Sequence, residues 1–358
     1  MSCPAFQAID LGFCSIGPDA PPFMIAELSA NHGGSLEQVF KLIDAAAEAG
    51  AHAIKLQTYT ADTMTIDHDG PGFVIDDPKS LWHGRSLHSL YSEGSLPWEW
   101  HKDIFDYCQR RALVCFSTPF DESAVAFLEG LGSKLYKVAS FEVTDTPLLE
   151  VIGHTGKPVI MSTGMASVAE IRAALATLQR HGCPNVVLLK CTSAYPAPLE
   201  DINLRALQTL ADDFQCMVGL SDHSLGIGVS LGAVALGARV IERHFTLDRK
   251  IPTLDSEFSL EPSEFASLTS EAGKIWQALG HAELGCTDAE AASRAYRRSI
   301  YATRDIKAGE AFSLENVRVI RPGYGADPSH LPKFLSGYAS ADIPRGAPLS
   351  FDRLRSAS

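Results

Sequence analysis

Apolar residues along the chain follow two periods in alternation. Runs of strand length, FMIAEL (23–28), HAIKLQT (52–58), LVCFSTPF (113–120), KLYKVAS (134–140), KPVIMSTG (157–164), NVVLLKCTSAYP (185–196), MVGLSDHS (217–224) and RVIERHF (239–245), are apolar for several residues and end in polar ones. Between them, apolar residues recur at helical spacing. These stretches predict helices over 36–49, 97–110, 122–131, 146–155, 168–180, 204–211, 225–236 and 263–279. Eight strands centred near residues 25, 54, 115, 136, 159, 187, 218 and 241, with a helical segment between almost every pair, predict a TIM (β/α)8 barrel. An open doubly wound sheet is the competing arrangement, but no glycine-rich dinucleotide fingerprint follows the first strand.

The polar ends of these runs carry the chemistry, because catalytic groups in such a barrel sit at the C-terminal ends of the strands. Side chains alternate along a strand, so Lys55 and Gln57 share a face. The ends together supply Glu27, Lys55, Gln57, Thr118, Lys137, Ser140, Ser162, Ser193, Tyr195, Ser221, His223, Glu242 and His244. One such residue is usually a strand cap or a solvated end. A complete ring, with nothing comparable at the opposite ends, points to function. Two lysines among hydroxyl and amide donors suit a phosphate and a carboxylate, and His223 and His244 could hold a metal near Glu27 and Asp255. The plainer alternatives are histidines that cap strands, and lysines that serve as salt-bridge partners of Glu27 and Glu142.

The remaining stretches refine this picture. A connection as long as 59–96 in a compact domain is more often an active-site lid than plain linker, with a disordered segment as the alternative. The barrel is expected over 1–280, a linker over 281–297, and a small Gly/Pro-punctuated β-domain over 298–358. That last segment contains an echo: Ile306-x-x-Gly309-x-x-Phe312-Ser313 and Ile343-x-x-Gly346-x-x-Leu349-Ser350 share one spacing.

A net charge of −13 argues against a nucleic-acid-binding surface, and 46% hydrophobic content fits a soluble globular chain. The N-terminus shows no basic leader before an apolar core, and the most apolar stretch, 226–241, is short and interrupted by Arg239. A cytoplasmic protein that does not span a membrane is therefore expected. The eight cysteines include no CxxC pair and read as reduced thiols.

The motifs AELSANHGG, IKLQT, FSTPFD, YKVAS, MSTGM, KCTSAYPAP, GLSDHS and IERHFTLD, taken in order, resemble those of the sialic acid synthase family. RPGYG lies in what resembles that family's C-terminal antifreeze-like (SAF) domain. Within the family, QTYTADTMTID, LWHGRSLHSLY and PWEWH look like the pseudaminic acid synthase branch, and Ser193 stands where sialic acid synthases typically carry Asn. The resemblance implies condensation of phosphoenolpyruvate with an N-acetylated amino-sugar aldehyde to give a nine-carbon 2-keto acid and phosphate.

By the same resemblance, Lys55, Gln57, Thr118, Lys137, Ser140, Ser162 and Ser193 would hold phosphoenolpyruvate, with Ser221 and Glu242 in the same ring. His223 and His244 would bind a divalent metal, Mn2+ or Mg2+, and Glu27, Tyr195 and Asp255 would contact the sugar. Arg321 would reach the sugar from the partner subunit of a domain-swapped homodimer. The competing readings are an N-acetylneuraminate or legionaminate synthase that uses another N-acetylated amino sugar, a barrel aldolase with Lys55 or Lys137 as a Schiff base, and a non-catalytic sugar-binding or antifreeze-like protein.

Overall fold

Eight parallel strands close on themselves in the computed structural model, which describes residues 7–78 and 80–356. They are β1 (Phe23–Glu27), β2 (Ala53–Thr58), β3 (Val114–Pro119), β4 (Tyr136–Val138), β5 (Val159–Ser162), β6 (Val186–Cys191), β7 (Met217–Asp222) and β8 (Val240–His244). Each pairs with its sequence neighbours, and β8 pairs with β1 to complete the barrel. The helices that return the chain are α1 (Leu36–Glu48), α2 (Trp98–Arg110), α3 (Glu122–Gly130), α4 (Thr146–His154), α5 (Val168–Arg180), α6 (Ala206–Phe214), α7 (Gly228–Ala235) and α8 (Pro262–Leu279). The TIM barrel expected from the apolar periodicity is present.

Local chemistry explains where these helices begin. The Ser35 hydroxyl accepts from the Gln38 amide to start α1, Asp121 does the same for α3, and Ser167 with Glu170 forms a capping box on α5. Gly50, at φ +85°, turns the chain out of α1 in a conformation that a side chain would oppose. The seventh helix starts three residues later than its apolar pattern predicts. Ser224 is held back by Asp222, which accepts from its amide and its hydroxyl, and Gly226 turns at φ +74°.

Strand alternation divides the core in two. Outward residues such as Met24, Ala26, Ile54, Leu56 and Val138 pack under the helices. Inward residues, among them Ile25, Ala53, Phe116, Leu135, Ile160, Leu189 and Val240, fill the lower barrel. There the chain adds an element that the periodicity does not reveal: a two-residue-per-strand hairpin, Ile9–Asp10 with Ser15–Ile16, whose Ile9, Leu11 and Ile16 pack into the inward cluster and plug the N-terminal end. Gly219 leaves room for this layer, since a Cβ there would lie 2.6 Å from Leu189.

The excursion after β2 is ordered rather than structureless. It carries a helical turn (Ala61–Met64), an antiparallel bridge between Val74 and Ser86, and a helix (Leu87–Gly94). Among the described residues no helix is long and apolar enough to cross a membrane.

The chain divides into two compact units, 1–280 and 281–358. In the second unit, the segment expected as a linker holds a short helix (Asp288–Ala291), and short antiparallel strand pairs follow it. The sequence echo proves to be a pairing. Ile306 and Ile343 exchange both backbone hydrogen bonds at 2.8 Å, Gly309 donates to the Ala339 carbonyl, and Gly346 donates to that of Ala302. Phe312 and Leu349, at matching places in the two copies, are buried in this unit's own core.

The plug predicts a stability effect remote from the polar ring. Replacing fully buried Ile16 by Ala should cost about 2–5 kcal/mol, read as a lower urea midpoint for the barrel's transition. An unchanged midpoint would mean that the hairpin only lies against the barrel without filling it.

Candidate active site

The upper barrel turns polar along the same inward-facing rows that are apolar below. Glu27, Lys55, Thr118, Lys137, Ser162, Ser221, Glu242 and His244 are all buried. Register sets Lys55 beside Glu27 and Glu242 beside Ser221 on adjacent strands. Lys55 Nζ lies 2.6 Å from Glu27 Oε2, 3.8 Å from Glu242 Oε1 and 3.4 Å from Thr118 Oγ1. Gln57 donates to Glu27 Oε1 at 3.1 Å and to the Ser29 hydroxyl, while Ser221 donates to Glu242 Oε1 at 3.0 Å. Both carboxylates are thus held by neutral donors as well as by charge.

These groups titrate as a set. Burial alone would lower Lys55, but facing Glu242 and Glu27 holds it above its ordinary value. Glu242 is pulled down despite burial because Lys137, Lys55 and Ser221 favour its charge. Glu27 is pushed up, chiefly by burial and also by the Glu242 charge, with Lys55 opposing. Glu27 is therefore the carboxyl in this ring with the raised proton affinity, which suits a group that accepts and returns a proton.

Lys137 makes a different arrangement from the one that a Glu142 partnership would require. Its Nζ donates to Ser162 Oγ at 2.7 Å and to the Val138 carbonyl at 2.9 Å, and among the described residues it forms no ion pair. Burial lowers its proton affinity. Ser140 accepts from the Gly164 amide at 3.0 Å. A Cβ on Gly164 would collide with the Ser193 hydroxyl and come within 2.8 Å of that of Ser140, so glycine keeps a small cradle open between two serines. The floor of this side is Cys191, whose sulfur lies 3.9 Å from Ser193 Oγ and 4.0 Å from His223 Nδ1. The cradle has the donors an anion needs, hydroxyls and an ammonium that lacks a carboxylate of its own.

His223 and His244 stand side by side, ring centroids 5.3 Å apart. His223 Nδ1 donates to the Thr192 carbonyl at 3.1 Å, which fixes its tautomer and leaves Nε2 as a lone-pair donor. His244 is held neutral, first by burial and then by the cations around it. Its Nδ1 is buried without a hydrogen-bond partner, 3.6 Å from Asp255 Oδ2. Two neutral-capable imidazoles, one with an orphaned nitrogen, fit a divalent ion that keeps other positions for small ligands. Among the described residues no three His, Cys, Asp or Glu side chains form a metal-ligand group, so the protein would supply two imidazoles.

Behind the histidines, on the outward face of the same strands, Arg243 Nη1 meets Asp222 Oδ2 at 2.6 Å, both fully enclosed. Arg243 also donates to the Ser224 carbonyl, and Ser230 to Asp222. Arg243 is next to His244 and Asp222 next to His223, so this buried pair ties together the two strand ends that carry the imidazoles.

Above the ring lies a cavity of about 470 Å³. Its polar lining includes Ser29, Gln57, Glu142, Tyr195, His244 and Asp255. Tyr195 stacks near His223 and Phe258 at centroid distances of 4.4 and 5.2 Å, and Trp82 of the lid closes over it at 5.8 Å. Arg321 is not part of this assembly within unit 1. It belongs to the second unit, where it lines a surface cavity with Tyr296, Arg297, Arg298 and Asp327. The strand-end reading did not single out Cys191, Trp82 or Phe258. Cys191 was accessible to it, since it shares the inward row of Leu189 and Ser193.

The fold and its rim define a (β/α)8 barrel enzyme that can seat an anion beside a histidine pair. The chain belongs to the NeuB family, whose model matches residues 42–284, and a SAF domain matches 297–355. It is 44% identical over 328 residues to a pseudaminic acid synthase of Campylobacter jejuni, covering 92% of this chain and 95% of that protein. It is 37% identical to a pseudaminic acid synthase of Helicobacter pylori, covering 93% and 97%. The crystal structure of an N-acetylneuraminic acid synthetase from Leptospira borgpetersenii in complex with citrate superposes with a TM-score of 0.71 at 36% identity, covering 80% of this chain and 95% of that one.

Glu142 generates a pH-dependent prediction. Burial raises its carboxyl from 4.5 to about 7, and its Oε2 has no hydrogen-bond partner. The folded state therefore binds the proton more tightly than the unfolded one, so its contribution is full below about 4.5 and is lost as pH rises through about 7. Glu142→Gln should flatten that decline by on the order of 1–3 kcal/mol, measured by urea unfolding at pH 5 and pH 8. Equal slopes in the variant and the parent would remove Glu142 as its source.

Proposed function

We propose that this protein condenses phosphoenolpyruvate with 2,4-diacetamido-2,4,6-trideoxy-L-altrose and water, giving pseudaminic acid and phosphate. What carries this reading is the buried lysine and serine cradle beside the histidine pair, in a chain 44% identical to a pseudaminic acid synthase across 92% of its length.

In this reading Lys137, Ser140, Ser162 and Ser193 hold the phosphate and carboxylate of phosphoenolpyruvate, with Lys55, Gln57 and Thr118 on its other side. The amino sugar lies above, with its aldehyde toward His223 and His244 and its polar groups toward Asp255, Tyr195 and Glu27. A divalent ion, Mn2+ or Mg2+, held by the two histidines would supply Lewis-acid polarisation of the aldehyde oxygen.

The C2–C3 π electrons of the enol form the new bond from C3 to the aldehyde carbon. Water adds to the resulting cation at C2 and gives up a proton, and the C2–O bond to phosphate then breaks as the keto group forms. Glu27, raised in proton affinity and fixed by Gln57, takes up the proton released by water and returns it to the former aldehyde oxygen, while the proton of the C2 hydroxyl leaves with phosphate as the keto group forms. Lys55 remains ammonium beside Glu27, which favours anion binding over the free amine that a Schiff base requires.

The rim of the cavity bears on assembly. Phe141, which also lines the cavity, and Met165, Leu199, Leu225 and Ile251, each in the connection after a different barrel strand, are exposed. An apolar collar around a polar mouth fits closure by a second copy, with the partner's small domain bringing Arg321 to the sugar in a domain-swapped homodimer. The same reading has the enzyme work in the cytoplasm.

The direct test is phosphate release from phosphoenolpyruvate with Mn2+, comparing the diacetamido-trideoxy sugar with N-acetylmannosamine. Release with the former, abolished by chelator and reduced more than about 100-fold in His244→Ala, is expected. Release only with N-acetylmannosamine would overturn the assigned sugar, and borohydride trapping of a pyruvate adduct with chelator-resistant turnover would favour the aldolase. For the dimer, Arg321→Ala should raise the sugar KM while sedimentation still reports a dimer. A fully active monomer would end that part of the reading.

A further inference from the structure

The cavity above the ring has two chemically distinct ends. Toward the strand ends it is lined by Gln57, His244 and Asp255, and toward the lid by Met64, Ile75, Leu87 and Leu90, with the aromatic rings of Tyr59, Trp82 and Tyr91 from the same excursion. Those four side chains come from the 59–96 excursion and stand on its ordered parts. Met64 is on its first helical turn, Ile75 follows Val74 of the bridge to Ser86, and Leu87 and Leu90 are on its helix. Their placement is fixed by the lid's own hydrogen bonds. Ile75 exchanges backbone bonds with Arg85 and Gly84, the Leu87 amide donates to the Phe73 carbonyl, and Trp82 Nε1 reaches the Leu254 carbonyl across the cavity.

We infer that this apolar wall is the specificity determinant for the deoxygenated end of the sugar, with Met64 and Ile75 contacting the C6 methyl. The inference rests on the proposed reaction. An aldehyde carbon directed at the histidine floor leaves the far end of the open-chain sugar pointing away from the strands, toward the lid. A terminal methyl set against Met64 and Ile75 meets carbon and sulfur. A terminal hydroxymethyl set against Met64 and Ile75 would find on those two side chains no donor or acceptor comparable with water. The wall therefore discriminates by leaving a polar group unsatisfied. Apolar pockets reject an added hydroxyl only moderately, on the order of 10–100-fold.

The experiment measures kcat/KM by phosphate release for the diacetamido-trideoxy sugar and for its 6-hydroxy counterpart. The unaltered protein should favour the 6-deoxy sugar by about 10–100-fold. Met64→Gln, close in length, and Ile75→Thr, one heavy atom smaller, each add a polar group and should each reduce that ratio severalfold, and together bring it near unity, with the KM for phosphoenolpyruvate unchanged. Leu87→Met, which keeps the wall apolar, should preserve the ratio and serves as the check if either polar variant is poorly folded in a thermal melt. A ratio that stays within about twofold of the parent in the folded double variant would overturn the inference while leaving the proposed reaction standing. Absence of phosphate release with either sugar in the unaltered protein would instead overturn the reaction on which it rests.

Discussion

The contact between Lys55 and Glu27 is the interaction on which the upper barrel depends. Both side chains are enclosed, and an ion buried without compensation costs several kcal/mol, so these strand ends are tenable only as a mutually neutralising set. Glu242 and Lys137 complete that set; Gln57 and Ser221 donate to the carboxylate lone pairs, and the Ser162 oxygen accepts a proton of Lys137 that charge alone would leave idle. The balance is uneven by design of the sequence: Lys55 faces two carboxylates, while Lys137 faces hydroxyl and carbonyl oxygens. An arriving anion meets one committed cation and one uncommitted one.

The same strands use their other face to hold the site's shape. Arg243 and Asp222 lie on the opposite side from Glu242, Ser221 and the imidazoles, and their bond ties two strand ends at the level where the histidines emerge. A surface ion pair would do little here. Sealed among Ser224 and Ser230, this one resists the separation that would let His223 and His244 drift apart. Inward and outward residues of β7 and β8 thus divide the work between chemistry and its support.

Much of this was legible in the sequence because barrel strands translate alternation directly into inside and outside. Reading every second residue from Glu27, Lys55, Lys137 and Glu242 recovers the ring without any coordinates. Three things escaped that reading for physical reasons. The plug's strands are two residues each, too short to carry a period. The Arg243–Asp222 pair looks in sequence like two more charges at a strand end, and only enclosure under α7 shows that they face each other. The lid's contribution depends on a fold-back, with Val74 pairing Ser86, which no local periodicity encodes. The echo in the small domain was visible, but its meaning was not. Identical spacing became a mutual pairing once Ile306 and Ile343 were seen to exchange hydrogen bonds.

The hairpin of Ile9, Leu11 and Ile16 has a kinetic consequence beyond its packing. With the N-terminal end stopped and the lower barrel filled with apolar side chains, the space described above the ring lies at the lid end of the barrel. The cradle of Lys137, Ser162 and Ser140 lies at the strand ends, and the cavity roofed by Trp82 lies over them. Where two molecules stack in such a space, the shallower one stands in the way of the deeper one. A geometry of this kind favours binding of the deeper molecule before the shallower.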